Sequence, residues 1–150
     1  MKKILFVSVL AIALAACSKD SFQTVPQVKI ESITPDEVFN GNIIQLVASV
    51  TDKEGDLQDS VLVVRKRYSG PTLLSDDTTR VSIKNLQSPE KSKIELRISI
   101  SYGKQYPEYA IYQPLEYDFD RDFTVGLVVK DNAGNRSEYA ESKKIVLKKF

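Results

Sequence analysis

Apolar and polar residues alternate one for one along three separate stretches of this chain, and that period of two is what most restricts its fold. Ile44, Leu46, Ala48 and Val50 interleave with Gln45, Val47, Ser49 and Thr51. Ile94, Leu96, Ile98, Ile100 and Tyr102 interleave with Glu95, Arg97, Ser99 and Ser101, and Phe123, Val125, Leu127 and Val129 repeat the pattern. Successive side chains of a strand point to opposite faces, so each stretch predicts one buried and one wet face. Val28 with Ile30 supplies a first strand and Ile145 with Leu147 begins a last one. Residues 61–64 are a continuous apolar run, in which alternation does not assign the inward face. No window shows an apolar stripe at helical spacing, and Gly, Pro, Asp and Asn punctuate the runs. The pattern predicts an all-β domain, a single antiparallel sandwich of about seven strands in roughly 120 residues.

The N-terminus is organised differently. Lys2 and Lys3 precede an apolar run from Ile4 to Leu14, broken by Ser8, and Leu14-Ala15-Ala16-Cys17 closes it. A basic end, a short apolar core and small residues make a secretion signal, and the run is too short to span a bilayer as a permanent helix. The four closing residues resemble the lipobox of bacterial lipoproteins. That resemblance implies cleavage after residue 16 and lipid on the Cys17 sulfur and amine. Two or more acyl chains anchor a protein firmly, at about 0.8 kcal/mol per buried methylene. Cys17 is the sole cysteine, so no disulfide staples the domain, which must stand on its core.

Removing residues 1–16 leaves 19 basic against 20 acidic residues. A nearly neutral domain does not fit a nucleic-acid binder, which shows a basic face. Lys143, Lys144, Lys148 and Lys149 cluster around Ile145, Val146 and Leu147, and lysines of this kind guard sheet edges. Residues 17–27 are polar and aperiodic and read as a tether, with the domain proper at 28–150. Fully extended, the tether reaches about 30 Å. Ser18, in place of aspartate after the cysteine, resembles the pattern that sends lipoproteins to the outer membrane. The expected address is the cell envelope, with the outer membrane favoured.

Residues 45–59, QLVASVTDKEGDLQD, and 123–137, FTVGLVVKDNAGNRS, resemble the B and F strands with their following loops in bacterial Ig-like, cadherin-like and PKD-like modules. The resemblance implies an Ig-like sandwich in which Asp131-Asn132-Ala133-Gly134-Asn135 joins the last two strands. The Cys and Trp core of antibody domains is missing. In such a sandwich the BC and FG loops share one end. Asp52, Glu54, Asp56 and Asp59 would then approach Asp131, Asn132 and Asn135. Calcium takes six to eight oxygens of this chemistry, and Asp52, Asp56 and Asp131 are the candidate ligands. The same residue types also build ordinary solvated turns. Asp118, Asp120 and Asp122 begin like an EF-hand loop, but Phe123 and Val129 stand where glycine and glutamate are required. Alternation there predicts a strand with its carboxylates wet and Tyr117, Phe119 and Phe123 buried.

Five of the seven tyrosines fall between Tyr102 and Tyr117. A structureless connection of that length is unusual, so residues 108–112 are expected to form an extra strand between turns at Pro107 and Pro114. Tyr106, Tyr109 and Tyr112 are the candidate partner-binding residues, because tyrosine joins a large apolar ring to a polar tip. A satellite core cluster uses the same residues. Catalysis finds no support: the chain has no histidine, no glycine-rich phosphate loop and no cysteine but Cys17. Two functions fit, a lipid-anchored binding module for an envelope protein or glycan, and a structural spacer within a larger envelope assembly.

Overall fold

A computed structural model describes residues 25–53, 55–83 and 93–150, and all the elements it contains are strands. The signal segment, Cys17, most of the tether and Glu54 lie outside the described residues. In chain order the strands are β1 (Gln27–Thr34), β2 (Glu37–Val38), β3 (Ile43–Thr51), β4 (Leu57–Ser69), β5 (Thr72–Ser82), β6 (Lys93–Tyr102), β7 (Ile111–Gln113), β8 (Arg121–Asp131), β9 (Ala140–Glu141) and β10 (Ile145–Leu147). One sheet has the order β1-β3-β6-β7 and the other β2-β10-β8-β4-β5, with β9 also on β8. The chain is an Ig-like β-sandwich, with the two sheets facing each other across one core.

The alternating runs bury the faces the sequence assigns. Ile44, Leu46 and Ala48 of β3, Leu96 and Ile100 of β6, and Phe123, Val125 and Leu127 of β8 are fully buried. Burying one such aliphatic or aromatic side chain is worth about 1.5–3 kcal/mol, and no disulfide assists. In β4 the continuous run resolves with Val61 and Val63 inward. Eight of the described strands have antiparallel partners, β9 among them. Two short strands depart from that pattern, since β2 lies parallel to β10 and β7 parallel to β6. The sheets are therefore mixed where a purely antiparallel sandwich was expected.

Other differences have physical reasons. β5 carries Ser75-Asp76-Asp77-Thr78-Thr79-Arg80, too polar for an alternation signal, because among the described residues it borders only β4 and most of its residues are exposed. The extra strand appears as β7, three residues later than the expected start. Tyr117 and Phe119 are exposed rather than buried, because β8 begins only at Arg121 and the residues before it run outside the sheet. Period two also carries Arg65 and Arg67 inward after Val63. Arg65 Nη1 donates to the Tyr112 carbonyl at 2.8 Å, and Arg67 Nη1 donates to Glu116 Oε1 at 2.7 Å. These bonds clamp residues 112–116 across the gap between the sheets. On the opposite face of the same sheet a Cβ at Gly126 would come within 2.2–2.4 Å of the Tyr139 side chain, so any larger residue would push that ring off its present seat on β8.

Candidate functional site

The register places two groups of chemically distinctive residues at opposite poles. β3 ends at Thr51 and β8 at Asp131, and the loops that follow meet there: Asn132 N donates to the Asp56 carbonyl at 2.9 Å. At this loop pole single carboxylate oxygens of Asp52, Asp56 and Asp131 lie within 4.8 Å of one another. Asp52 and Asp131 are buried and Asp56 half-buried. The three candidate ligands, drawn from positions nearly eighty residues apart in sequence, are brought together as the shared-end argument expects. Their charges repel at this spacing, and a hard divalent cation is the kind of ion such oxygens could hold. The carboxylates also fasten their loops. Asp52 Oδ2 accepts from Asp56 N at 3.1 Å, and Asp131 accepts from Asn135 N at 2.7 Å and from Asn135 Nδ2 at 2.6 Å. Gly134, at φ +93°, closes the hairpin in the left-handed region that glycine enters without strain.

At the other pole β10 leaves the sheet between two segments. Lys148 N donates to the Val38 carbonyl at 2.9 Å, Lys149 N to Asp120 Oδ1 at 2.9 Å, and Phe150 N to the Glu116 carbonyl at 2.8 Å. The C-terminal residues are thus stitched to Val38 on one side and to residues 116–120 on the other. Four large rings surround this seam with most of their surface in water: Phe39 (53% exposed), Tyr117 (68%), Phe119 (65%) and Phe150 (76%). Arg121 lies 5.3 Å from the centre of the Phe119 ring. The charges at this pole are paired locally, Lys148 with Asp120 at 2.6 Å and Arg67 with Glu116 at 2.7 Å. Tyr102 fixes the seam from beneath. Its fully buried hydroxyl donates to the Lys148 carbonyl at 2.7 Å and accepts from Glu116 N at 3.0 Å. Burial pushes this phenol above its ordinary pKa.

The tyrosines singled out from sequence divide. Tyr106 and Tyr109 are half-buried and meet edge to face at 6.0 Å, with the Tyr106 hydroxyl 3.3 Å from the Gly41 carbonyl. Tyr109 also lines a cleft of about 280 Å³ with Val81, Arg97 and Ile111. Tyr112 is the most exposed of the three. The larger exposed rings lie elsewhere. Phe39 and Phe150 carry no periodic signal, and Tyr117 and Phe119 read from sequence as a buried row.

A third cluster lies on the outer face of β4 and β8. Lys66 Nζ sits 4.4 Å from the centre of the Tyr139 ring and 3.4 Å from Glu141 Oε2. Glu141 also accepts from Thr124 and Tyr68. Partial burial alone would raise the Glu141 carboxyl, but Thr124 and Lys66 outweigh it and hold the group below the usual carboxylate range. Every charge here has a partner, which suits a fastening for β9.

No family model and no curated protein matches the sequence. Among solved structures the chain is similar to Spo0M, the sporulation control protein of Bacillus subtilis, at 13% identity and a TM-score of 0.45. That match covers 84% of this chain and 50% of the other, so the chain spans about half of Spo0M's length. It is similar to a conjugative transposon lipoprotein from Bacteroides eggerthii at 18% identity and a TM-score of 0.33, over 83% of this chain and 98% of that one. A CARDB domain from Pyrococcus furiosus, solved in complex with di-metal ions, is similar at 13% identity and a TM-score of 0.30, over 89% of this chain and 95% of that one. Likenesses this distant carry no function across.

Proposed function

We propose that this chain is a lipid-anchored, non-catalytic module of the cell envelope that engages a protein or glycan partner through its aromatic pole. The observation that carries the proposal is the separation of entry point and rings. Gln27 pairs with Thr51, so the chain enters the domain at the loop pole, while Phe39, Tyr117, Phe119 and Phe150 stand at the opposite one. A strand of β8's length spans about 35 Å, so a tether from Cys17 would leave the rings on the side away from the anchoring membrane. Aromatic rings supply large contact area at small entropic cost, and they serve both protein contacts and sugar stacking. Ser18 supports the outer membrane as the address.

The test uses the full chain expressed in cells. Cys17→Ser is expected to move it from the membrane to the soluble fraction. A Tyr117→Ala/Phe119→Ala variant is expected to keep its melting temperature and its membrane attachment. Its retention on purified envelope protein and on purified envelope glycan is measured separately, and about a tenfold loss on one of them is expected. Unchanged retention on both would remove the aromatic pole as the contact. The spacer reading is favoured by a different observation, the long edge of β5, beyond which no strand lies among the described residues.

A further inference from the structure

We infer that β5 is a self-pairing edge: two copies of this chain join antiparallel through it, with Thr78 facing Thr78 of the other copy. Among the described residues no strand lies beyond β5, which ends its sheet. From Ser75 to Ser82 it pairs with β4 without a bulge, so eight consecutive residues keep regular geometry along the free edge. Opposite residues share a face. Arg80 therefore lies with Leu62, Thr78 with Val64 and Asp76 with Lys66 on the outer face, while Val81, Thr79 and Asp77 lie on the inner one.

Ladder geometry and charge then select a single register. On an edge strand every second residue sends both its N–H and its C=O outward. Two copies related by a two-fold axis can match these groups only if the axis passes through a residue, not between two. An axis at Asp76, Asp77 or Arg80 sets a like charge directly against itself, which destabilises a strand pair. An axis at Thr79 leaves all three charges opposite neutral residues. An axis at Thr78 sets Asp76 against Arg80 of the other copy, twice by symmetry, and Asp77 against Thr79. Asp76 and Arg80 are both exposed and so available for this exchange. Charges on an edge usually deter pairing; here their order deters the registers centred on Asp76, Asp77 and Arg80 and rewards the one centred on Thr78. The interface is isologous, the type that closes as a dimer and does not propagate as a fibre. It does not depend on lipid anchoring or on the aromatic pole.

Sedimentation of the full chain in detergent, over a concentration series, tests the inference. A monomer–dimer equilibrium is expected. Asp76→Arg alone and Arg80→Asp alone should each weaken the dimer about tenfold or more, since each sets like charges opposed at two symmetric places. The combined exchange Asp76→Arg/Arg80→Asp restores opposite pairs and should restore the dimer. In a Cys17→Ser background, Thr78→Cys should oxidise to a disulfide-linked dimer, because directly opposed Cα atoms lie about 4.5–5.5 Å apart. Thr79→Cys should not, its own counterpart being about 8 Å away along the ladder. A monomer at every concentration, or a dimer indifferent to the single reversals and restored by no exchange, would overturn the inference.

Discussion

Tyr102 does at one position what several residues share elsewhere. Its ring ends the inward row of β6, and its hydroxyl holds Lys148 and Glu116, so core and aromatic pole meet in one side chain. Tyr102→Phe keeps the ring volume but leaves a buried N–H and a C=O without this partner. We expect a loss of about 1–3 kcal/mol, read as a lower denaturant midpoint with an unchanged slope. Glu141 gives a pH-dependent counterpart. Its folded pKa lies below the ordinary value, so its contribution is present above the usual carboxylate range and is lost as pH falls through the folded pKa. Melting temperature should therefore decline on acidification below about pH 4, and Glu141→Gln should make that decline shallower. A decline of unchanged steepness would show that the Lys66–Glu141 pair adds nothing to folding.

At the scale of elements, strands with one dry and one wet face were legible because burial forces their alternation. β3, β6 and β8 come directly from that rule. β5 escaped it because an edge strand has too little buried surface to shape its composition. Tyr117 and Phe119 misled for a related reason, since alternation continued past the point where the backbone leaves the sheet. The loop pole was foreseeable from the Ig-like resemblance: its BC and FG loops share one end, β3 and β8, in different sheets, both finish there, and Asp52, Asp56 and Asp131 do meet. The calcium expectation predicts a saturable rise in melting temperature between chelator and excess calcium, about 2.7 kcal/mol at a hundredfold excess over Kd. Asp56→Asn is the suitable variant, because the hydrogen bonds of Asp56 named above run through its backbone. It should abolish the rise and, without calcium, stabilise slightly by relieving like-charge repulsion. An unchanged melting temperature would assign the trio to loop closure alone.

For the whole molecule, the proposed lipid anchor would decide which pole faces which way. Entry at the loop pole and rings at the far pole give a tethered domain a defined outward end. Under that proposal Cys17→Ser would release the domain and leave neither pole a preferred direction. Pairing through β5 would add a constraint. An antiparallel two-fold sets the loop poles of the two copies at opposite ends, so both tethers reach one membrane only when the strands lie along it, and the outward end described above belongs to the unpaired copy. A tether of about 30 Å is long enough to allow that. The proposed anchoring would also confine copies to a surface and raise their effective concentration, which favours pairing through a weak edge.

By itself the sequence determined the class of fold and the buried rows of β3, β6 and β8, and its resemblance to Ig-like modules implied the meeting of Asp52, Asp56 and Asp131. The first two follow from a local period, and the third from a fold in which both loops share one end. Only the tertiary structure decided that Arg65 and Arg67 would cross the gap between the sheets and that β5 would end its sheet. It alone placed Phe39, Tyr117, Phe119 and Phe150 in water around one seam. Exposure depends on what the rest of the chain leaves uncovered, and no window of sequence contains that information.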